Sequence, residues 1–264
     1  MKKLLLLVIT LAGCVACKNN VNRPAPVGAA NPEEWVYCEQ LSDEFDGIDV
    51  DTSKWYTYNP IWLGREPSLF LKENVMLRDG SLVLTGRRQD VPNAPEGYHT
   101  FSSAAVQSRD TAHYGFFEIR CKPMDSALSS AFWLYTRDEV KQEEIDIFEI
   151  CGRNDTDSTY QHTLFATSHF MIMPHDIHLS DHIAHKTDYR LADRYITVGL
   201  EWNERELIWY LDGEIIRRRK NDFWQLPETI NFDSEAFPTW WGLPSDTDNG
   251  GEFIIEYFRY WTRK

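Results

Sequence analysis

The chain has 264 residues, which is enough for one large domain, and all-β sandwiches of this size often remain single domains. Its formal net charge of −14 at pH 7 argues against a nucleic-acid partner. Aromatic residues make up 14% of the chain and include ten tryptophans, a surplus that suits a packed core and also a cleft that stacks on sugar rings.

The N-terminal segment is typical of an export signal. Two lysines precede an apolar run over residues 4–12, which is too short to cross a bilayer as a mature helix. The Leu-Ala-Gly-Cys sequence that ends at Cys14 resembles a bacterial lipobox, with Cys17 as a weaker second candidate for lipidation. We therefore expect a signal peptide over residues 1–13 and an exported bacterial lipoprotein. Its one membrane attachment would be this lipid in the outer membrane, facing the periplasm or the cell surface.

A flexible tether is predicted over residues 14–34, because the part after Cys17 is rich in Asn, Pro and Ala without hydrophobic periodicity. The folded domain is then expected over residues 35–264. Its cysteines, Cys38, Cys121 and Cys151, are odd in number, and buried free cysteines are common. We predict no disulfide bond and a monomeric protein.

The first half of the domain has the pattern of short strands separated by turns and loops. An Asp79-Gly80 turn joins two strands, and Gly and Pro mark a loop over residues 62–70. A polar loop with two prolines covers residues 91–100. Strands are expected at residues 35–37, 41–47, 74–75, 81–85, 103–108 and 114–122.

The second half continues this pattern. Residues 131–135 form an aromatic-rich apolar strand, and residues 171–193 are predicted to be a long loop rich in histidine. The other strands are expected at residues 142–150, 160–170, 195–202, 206–214, 230–235 and 252–261. Many short strands with regular turns and no long helix predict an all-β sandwich.

The strand over residues 142–150 carries a row of acidic residues. In strict alternation Glu144 and Asp146 share one face, whereas Glu149 points to the other face. One extra residue, a β-bulge, would bring Glu149 to the acidic face, and bulges are frequent next to active sites. Three carboxyl groups on one face repel each other and raise at least one pKa.

This acidic row favours acid–base chemistry over a structural role. Glycoside hydrolysis needs one ionised and one protonated carboxyl group facing the same bond. The alternative is a solvated acidic face on an edge strand. The apolar aromatic strand at residues 131–135 argues against that alternative, because it is suited to lie beside a buried sheet.

Together with this aromatic strand, the sequence from Glu144 to Glu149 resembles the signature of glycoside hydrolase family 16, which is Glu-(Ile/Val)-Asp-(Ile)-x-Glu on a bulged strand. Further similarity lies in the opening segment at residues 43–47 and in the hairpin at residues 195–214, so that it spans residues 35–264. The resemblance implies a β-jelly-roll sandwich of two curved antiparallel sheets, like that of concanavalin A.

The resemblance also implies roles for the acids. Glu144 corresponds to the nucleophile and Glu149 to the general acid/base of the family. Asp146, between them on the same face, corresponds to a residue that hydrogen-bonds the nucleophile and tunes its charge. A polysaccharide is the expected partner of such a site.

Other residues are candidates for binding that polysaccharide. Trp133 is expected to form the floor of the subsite next to the scissile bond, with a core position as the alternative. By resemblance, His169 matches a substrate-contacting histidine of the family members that cleave red-algal galactans. Glu235 and Trp241 lie in a segment similar to the one that agarases and porphyranases use for a sugar on the non-reducing side.

Trp62, Arg65, Arg137 and Arg153 are candidates for further subsites. Arginine is well shaped to bind sulfate through two parallel hydrogen bonds. For each arginine the alternative is an ordinary surface salt bridge.

A group of histidines raises the question of a metal site. His175, His178, His182 and His185 are closely spaced, but they have no cysteine nearby and fall in a predicted loop. A solvated polar segment is the favoured interpretation. We predict no metal ligands and no cofactor, with a structural Ca²⁺ ion, found in some relatives, as an open alternative.

The function expected from these patterns is that of a retaining endo-β-galactanase acting on agar- or porphyran-type galactans. The strand before the acids lacks the Trp-Pro pattern of glucan-cleaving relatives, and the loop at residues 64–67 together with Glu235 and Trp241 is similar to galactanases. An endo-β-1,3- or mixed-linkage glucanase and a κ-carrageenase are alternatives within the family. A non-catalytic lectin is the alternative from another class.

Overall fold

The short segments rich in apolar and β-branched residues form sixteen strands in a computed structural model that describes residues 23–264. The strands are β1 (Trp35–Tyr37), β2 (Trp55–Tyr56), β3 (Ser68–Phe70), β4 (Val75–Arg78), β5 (Ser81–Arg88), β6 (Phe101–Ala112), β7 (Gly115–Lys122), β8 (Ser130–Arg137), β9 (Lys141–Ile150), β10 (Thr163–Ile172), β11 (Ile177–Lys186), β12 (Ile196–Trp202), β13 (Glu206–Leu211), β14 (Glu214–Lys220), β15 (Glu228–Ser234) and β16 (Gly250–Arg263). The helices in this part of the chain are short 3-10 turns at Pro32–Glu34, Lys72–Asn74, Tyr160–His162, Met173–His175 and Leu191–Asp193.

The strands form the predicted jelly roll of two curved sheets. The front sheet has the order β11-β10-β9-β8-β15-β6, and the back sheet has the order β5-β16-β7-β12-β13-β14. The sheets join where the start of β6 pairs with the end of β5. The pairings are antiparallel except for β3 with β6, which are parallel. The all-β prediction is therefore confirmed.

The core lies between the two sheets. Five tryptophans are almost completely inaccessible to solvent, namely Trp55, Trp202, Trp209, Trp224 and Trp261. Trp55 packs against Phe232 of β15 and Phe258 of β16, with ring centroids 5.5 Å and 5.8 Å apart, so that it joins both sheets. Many of the aromatic residues therefore lie in the core, where their large rings contribute much of the buried apolar surface area.

Two Asp-Gly turns set the edges of the back sheet. Asp79 and Gly80 have φ angles of 52° and 72° and join β4 to β5, as predicted. Asp212 and Gly213 have φ angles of 49° and 86° and join β13 to β14, a strand that the sequence pattern did not predict. Both positive angles suit a tight hairpin turn, and glycine adopts them at little cost.

The predicted histidine-rich loop over residues 171–193 is wrong for its central part. Residues 177–186 form β11, which pairs with β10 along its whole length. Almost every side chain of β11 is exposed or half-buried, because the strand lies at the edge of the front sheet. The apolar alternation that identifies a strand is therefore weak, and pairing with β10 supplies the order instead.

The cysteine prediction is wrong for one residue. Cys121 and Cys151 are free and buried, as expected. Cys38, which is also buried, takes part in a disulfide bond. The proposed lipidation sites Cys14 and Cys17 lie outside the described residues.

Part of the predicted tether contacts the domain. Pro26 is buried, and the Val27 backbone N–H donates a 2.7 Å hydrogen bond to Glu118 Oε2 of β7. The described end of the tether is therefore docked on the back sheet rather than free. Along residues 23–264, no helix has the length and apolar character needed to cross a membrane.

Candidate active site

The acidic strand β9 contains the bulge that its sequence predicts. The register with β8 shifts between Phe132 and Trp133, which leaves Ile147 of β9 as the extra residue. The register with β10 shifts at the same level. Ile147 and the following Phe148 are both fully buried in the core. The bulge thus turns two successive apolar residues inward and reverses the face of the residue that follows them.

The bulge brings three acidic side chains to one cleft on the front sheet. Glu144, Asp146 and Glu149 line the same cavity, which has a volume of about 220 Å³. One oxygen each of Glu144 and Asp146 and a ring nitrogen of His169 all lie within 4.8 Å of one another. The three acids and His169, which the sequence separates by up to 25 positions, are therefore neighbours in the fold.

Burial and mutual repulsion raise the pKa of both glutamates. The pKa of Glu144 is raised to about 8, first by burial and then by the charge of Asp146, while His169 and Arg65 oppose the shift. The pKa of Glu149 is raised well above its usual range by burial and by four neighbouring carboxyl groups. The largest influences on Glu149 all disfavour its ionisation. Glu144 is therefore the acid better placed to ionise, and Glu149 the one better placed to keep a proton.

His169 connects the acids to β11. Its Nε2 lies 3.3 Å from Asp146 Oδ2, and its Nδ1 shares a 2.9 Å hydrogen bond with His178 Nε2. Burial lowers the pKa of His169, but the contact with Asp146 and the charge of Glu144 outweigh it, so that the pKa is raised. Within the described chain Asp146 Oδ2 has no hydrogen bond of good geometry, and its contact with His169 Nε2 is an ion pair when His169 is protonated.

Trp133 lies half-buried on the wall of the same cavity, beside the acids. Its Nε1 donates a 2.8 Å hydrogen bond to Asp233 Oδ2 of β15. Asp233 is 1% exposed, and burial raises its pKa to about 7. Tyr135 packs edge-on against the indole, with ring centroids 5.6 Å apart. These contacts hold the indole in one orientation, as a sugar platform requires.

Arg65 and Glu235 form an ion pair at the rim of the cavity. Arg65 Nε donates a 2.7 Å hydrogen bond to Glu235 Oε2, and its guanidinium lies 4.5 Å from the ring centre of Phe237. Burial raises the pKa of Glu235 well above its usual range, although Arg65 opposes the shift. Trp62 lines the cavity next to Arg65. The structure thus brings together three of the predicted binding residues from positions far apart in the chain.

The cleft continues past the acids across β10 and β11. This second part has a volume of about 590 Å³. The alternate residues that line it are Phe165, Thr167, His169 and Met171 of β10 and His178, Ser180, His182 and Ala184 of β11. Phe237 and the exposed Trp240 form the opposite wall. The acids therefore line both parts of the cleft and lie where the two parts meet.

The structure corrects the position expected for Trp241. Its side chain is 4% exposed and its Nε1 donates a 2.9 Å hydrogen bond to the Ala127 carbonyl. It packs against Phe237 and Trp240, each with ring centroids 4.5 Å away. Trp240, its neighbour in sequence, is the residue that faces the cleft. Trp241 therefore supports the wall from behind rather than offering a surface to sugar.

Two predicted arginines do not line either part of the cleft in the described chain. Arg137 is exposed at the end of β8. Arg153 follows β9 and donates hydrogen bonds to Asp155 and Thr247, in a separate surface hollow. For Arg153 the surface salt bridge given as its alternative describes what is observed.

The histidines predicted as a polar segment do not gather into a metal site. Within residues 23–264, the group whose side chains could share an ion is Glu144, Asp146 and His169. These are the residues of the acidic cluster itself, and the chemistry expected of them uses their protons. We assign no metal to them.

Sequence reasoning missed three residues of the site. Asp233 lies two positions before Glu235 on the strand predicted over residues 230–235, so that alternation could have placed both on the same face. His178 was hidden by the prediction of a loop. Trp240 could not be distinguished from Trp241 by sequence alone, because the segment that carries both has no regular period.

Known proteins resemble this chain over most of its length. It is 31% identical over 191 residues to β-porphyranase E of Zobellia galactanivorans, which covers 68% of this chain and 67% of that protein. It is 29% identical over 198 residues to β-porphyranase B of the same organism, with 69% and 68% covered. The crystal structure of porphyranase B from Zobellia galactanivorans matches with a TM-score of 0.78 at 26% identity, over 86% of this chain and 92% of that chain.

These likenesses agree with the fold and with the acidic strand. The family model described as the GH16 domain of β-porphyranases A–D matches residues 35–262, which is nearly the whole predicted domain. The chain therefore belongs to glycoside hydrolase family 16, in its β-porphyranase and agarase branch.

Proposed function

We propose that the protein is a retaining endo-β-galactanase that hydrolyses β-1,4-galactosidic bonds in agar- or porphyran-type galactans of red algae. The observation that carries this proposal is the bulge in β9, which presents Glu144, Asp146 and Glu149 to one open cleft. Family membership supports hydrolysis of a glycoside, and the names of the relatives support a red-algal galactan as substrate.

The different surroundings of the two glutamates support their roles. Glu144, whose ionisation is favoured by His169 and Arg65, acts as the nucleophile on the anomeric carbon. Glu149, surrounded by carboxyl groups, holds the proton that the leaving oxygen takes. In the second step Glu149 takes a proton from water, the water oxygen attacks the anomeric carbon, and the bond to Glu144 breaks. Asp146 lies between the two glutamates in the sequence, and its negative charge disfavours the ionisation of both.

The placement of both glutamates on one strand supports retention of anomeric configuration. Retaining enzymes hold their two carboxyl groups about 5–5.5 Å apart, whereas inverting enzymes leave room for a water molecule. With the bulge, Glu144 and Glu149 face the same cleft from one strand, and Asp146, which lies between them in the sequence, lines it too. Proton NMR of the first product should show the β-anomer before mutarotation. An initial α-anomer would contradict the double displacement.

Attack within the polymer is supported by the shape of the cleft. Sugar units can lie on Trp133 and beside Trp62 and Arg65 in one part, and along β10 and β11 in the other. Because the acids lie where the two parts meet, sugar units can bind on both sides of the cleaved bond, as attack on internal bonds requires.

A polysaccharide panel tests the proposed substrate. Purified protein is incubated with porphyran, agarose, κ-carrageenan, laminarin and mixed-linkage glucan, and new reducing ends are measured, with Glu149→Gln as the inactive control. We expect release from porphyran or agarose above all others. Faster cleavage of laminarin would support the glucanase, faster cleavage of carrageenan the carrageenase, and binding without cleavage the lectin.

We also propose that the protein is an exported lipoprotein anchored through Cys14. The support is the lipobox-like sequence at residues 11–14, which lies outside the described residues. Metabolic labelling with a palmitate analogue should mark the wild type, and Cys14→Ala should lose the label and leave the membrane fraction. If Cys17→Ala and not Cys14→Ala has this effect, Cys17 is the lipidated residue.

A further inference from the structure

The bulge in β9 interrupts the hydrogen-bond ladder at two buried positions. On β9 the shift lies next to Asp146, and on β10 the register jumps from Phe165 to Thr167 and passes over Ala166. Asp146 is 5% exposed and Ala166 is fully buried. A buried carbonyl without a partner costs about as much as a lost hydrogen bond, so each of these carbonyls needs a donor from elsewhere.

Both donors come from the back sheet through the core. Trp209 Nε1 of β13 donates a 3.2 Å hydrogen bond to the Asp146 carbonyl. Arg217 Nη1 of β14 donates a 2.8 Å hydrogen bond to the Ala166 carbonyl. The two carbonyls at the interruption thus both accept hydrogen bonds from side chains that lie 63 and 51 positions away in the sequence.

Trp209 and Arg217 pack against each other across two neighbouring strands. They are directly opposite each other on β13 and β14, and the Arg217 guanidinium lies 4.4 Å from the centre of the Trp209 ring. The register shifts just after this pair, so that Ile215 is exposed while Arg217 turns inward. This register shift is a second bulge, and it turns the Arg217 side chain toward the bulge in β9. Arg217 also donates a 2.8 Å hydrogen bond to Asp181 Oδ2 of β11.

A buried arginine is expensive to keep, because desolvation of the guanidinium opposes its burial. Arg217 is 7% exposed. An apolar residue of similar volume would fill the same space at lower cost. Such a residue could provide neither the hydrogen bond to the Ala166 carbonyl, which lies at the bulge, nor the one to Asp181.

We propose that Trp209 and Arg217 are positioning residues that hold the β9 bulge in register, so that Glu149 faces the cleft together with Glu144. This proposal rests on the proposed function for the roles of the two glutamates. Without the pair, β9 can return to a regular ladder with its neighbours. A shift by one residue would turn Glu149 toward the other face of the sheet.

The first test is Trp209→Phe, which keeps an aromatic ring in the core and removes the N–H donor. The matched control is Trp55→Phe. Trp55 is 1% exposed and its Nε1 donates a 2.8 Å hydrogen bond to Asp43 Oδ2, away from β9. We expect both variants to lose thermal stability. Trp209→Phe alone should lose kcat, by about tenfold to a hundredfold, with KM changed by no more than about twofold.

A second readout does not depend on catalysis. The free energy of unfolding of the wild type should fall between pH 4.5 and about 8, because buried glutamates with raised pKa bind protons more tightly in the folded state. In Trp209→Phe this pH dependence should differ from that of the wild type, since Glu149 leaves the acidic cluster for the core face of the sheet, where its surroundings are different. In Trp55→Phe it should equal that of the wild type. This readout decides the proposal even if the wild type cleaves no galactan, an outcome that would refute only the proposed substrate.

Arg217→Lys is the second variant, needed if Trp209→Phe does not fold. Lysine keeps the charge but cannot stack on the ring and donate to both Ala166 and Asp181. We expect the same loss of kcat and the same altered pH dependence of stability. The proposal is overturned if the variant that folds matches Trp55→Phe in kcat, in the pH dependence of kcat/KM and in the pH dependence of stability.

Discussion

Glu144 and Glu149 lie in the same acidic cluster but have different neighbours. His169 and Arg65 favour ionisation of Glu144, whereas Asp146, Glu235 and other acids oppose ionisation of Glu149. Identical side chains on one strand can therefore take opposite protonation states, and the difference comes from what the other strands place beside them.

At this scale we predict that Glu144→Gln abolishes turnover and preserves binding. The amide has nearly the same shape but cannot form the covalent bond, so kcat should fall by about four to six orders of magnitude. Calorimetric titration with a galactan oligosaccharide should give a Kd close to that of Glu149→Gln. Turnover near that of the wild type would remove Glu144 from the role of nucleophile.

We also predict that His169→Gln moves the acid limb of the pH profile of kcat/KM to higher pH. His169 lowers the pKa of Glu144, so that its loss raises the pH at which the nucleophile ionises. His182→Gln is the control, because His182 lines the cleft beyond the acids. A limb that stays in place, or that moves equally in both variants, contradicts this electrostatic role. Because the carboxyl groups titrate together, the apparent pKa read from this limb is a property of the whole acidic cluster rather than of Glu144 alone.

At the scale of the element, β11 decides the shape of half of the cleft. Its polar face aligns His178, Ser180 and His182 with the lining residues of β10. The strand is tied to the back sheet through Asp181, which receives a hydrogen bond from Arg217. An edge strand with a polar face can thus be ordered by its partners although its own sequence has little β character.

We predict that His178→Ala weakens substrate binding in this part of the cleft. Its loss frees the Nδ1 side of His169, so KM should rise by about threefold to tenfold with a smaller change in kcat. The matched control is His185→Ala, since alternation places His185 on the other face of the same strand. Steady-state kinetics on the substrate that the panel identifies gives both constants. Equal effects in the two variants would show that β11 is merely destabilised.

At the scale of the whole molecule, the fold buries a carboxyl group to which the described residues offer no hydrogen-bond donor. Glu228 is completely buried, and within residues 23–264 neither of its carboxyl oxygens has a hydrogen-bond partner. Burial and the charges of Glu143, Glu144 and Asp146 raise its pKa well above its usual range. Such a group is stable only when protonated.

We therefore predict that stability falls as the pH rises from about 4.5 toward 8 and beyond. In this window the folded state binds more protons than the unfolded state, so the free energy of unfolding decreases with pH. Glu228→Gln removes one such group and should reduce the slope, whereas replacement of the exposed Glu33 by Gln should not. Urea unfolding at several pH values measures both. A stability that rises with pH in this range contradicts the prediction.

The sequence by itself determined the local features of this protein. A period of two, interrupted once, identified β9 and its bulge, because the apolar residues Ile147 and Phe148 must both face the core while the acids face the cleft. The Asp79-Gly80 turn and the all-β class followed from equally local rules, in which neighbouring residues alone specify the backbone.

Only the tertiary structure decided which residues complete the site. Trp240 rather than Trp241 faces the cleft, Asp233 holds Trp133, and Trp209 reaches the Asp146 carbonyl from the opposite sheet. These contacts join residues that are adjacent only after the two sheets have packed. No short-range pattern encodes them, since each depends on the register of several strands at once. The same reason applies to β11, whose order comes from its pairing with β10 and not from its own side chains.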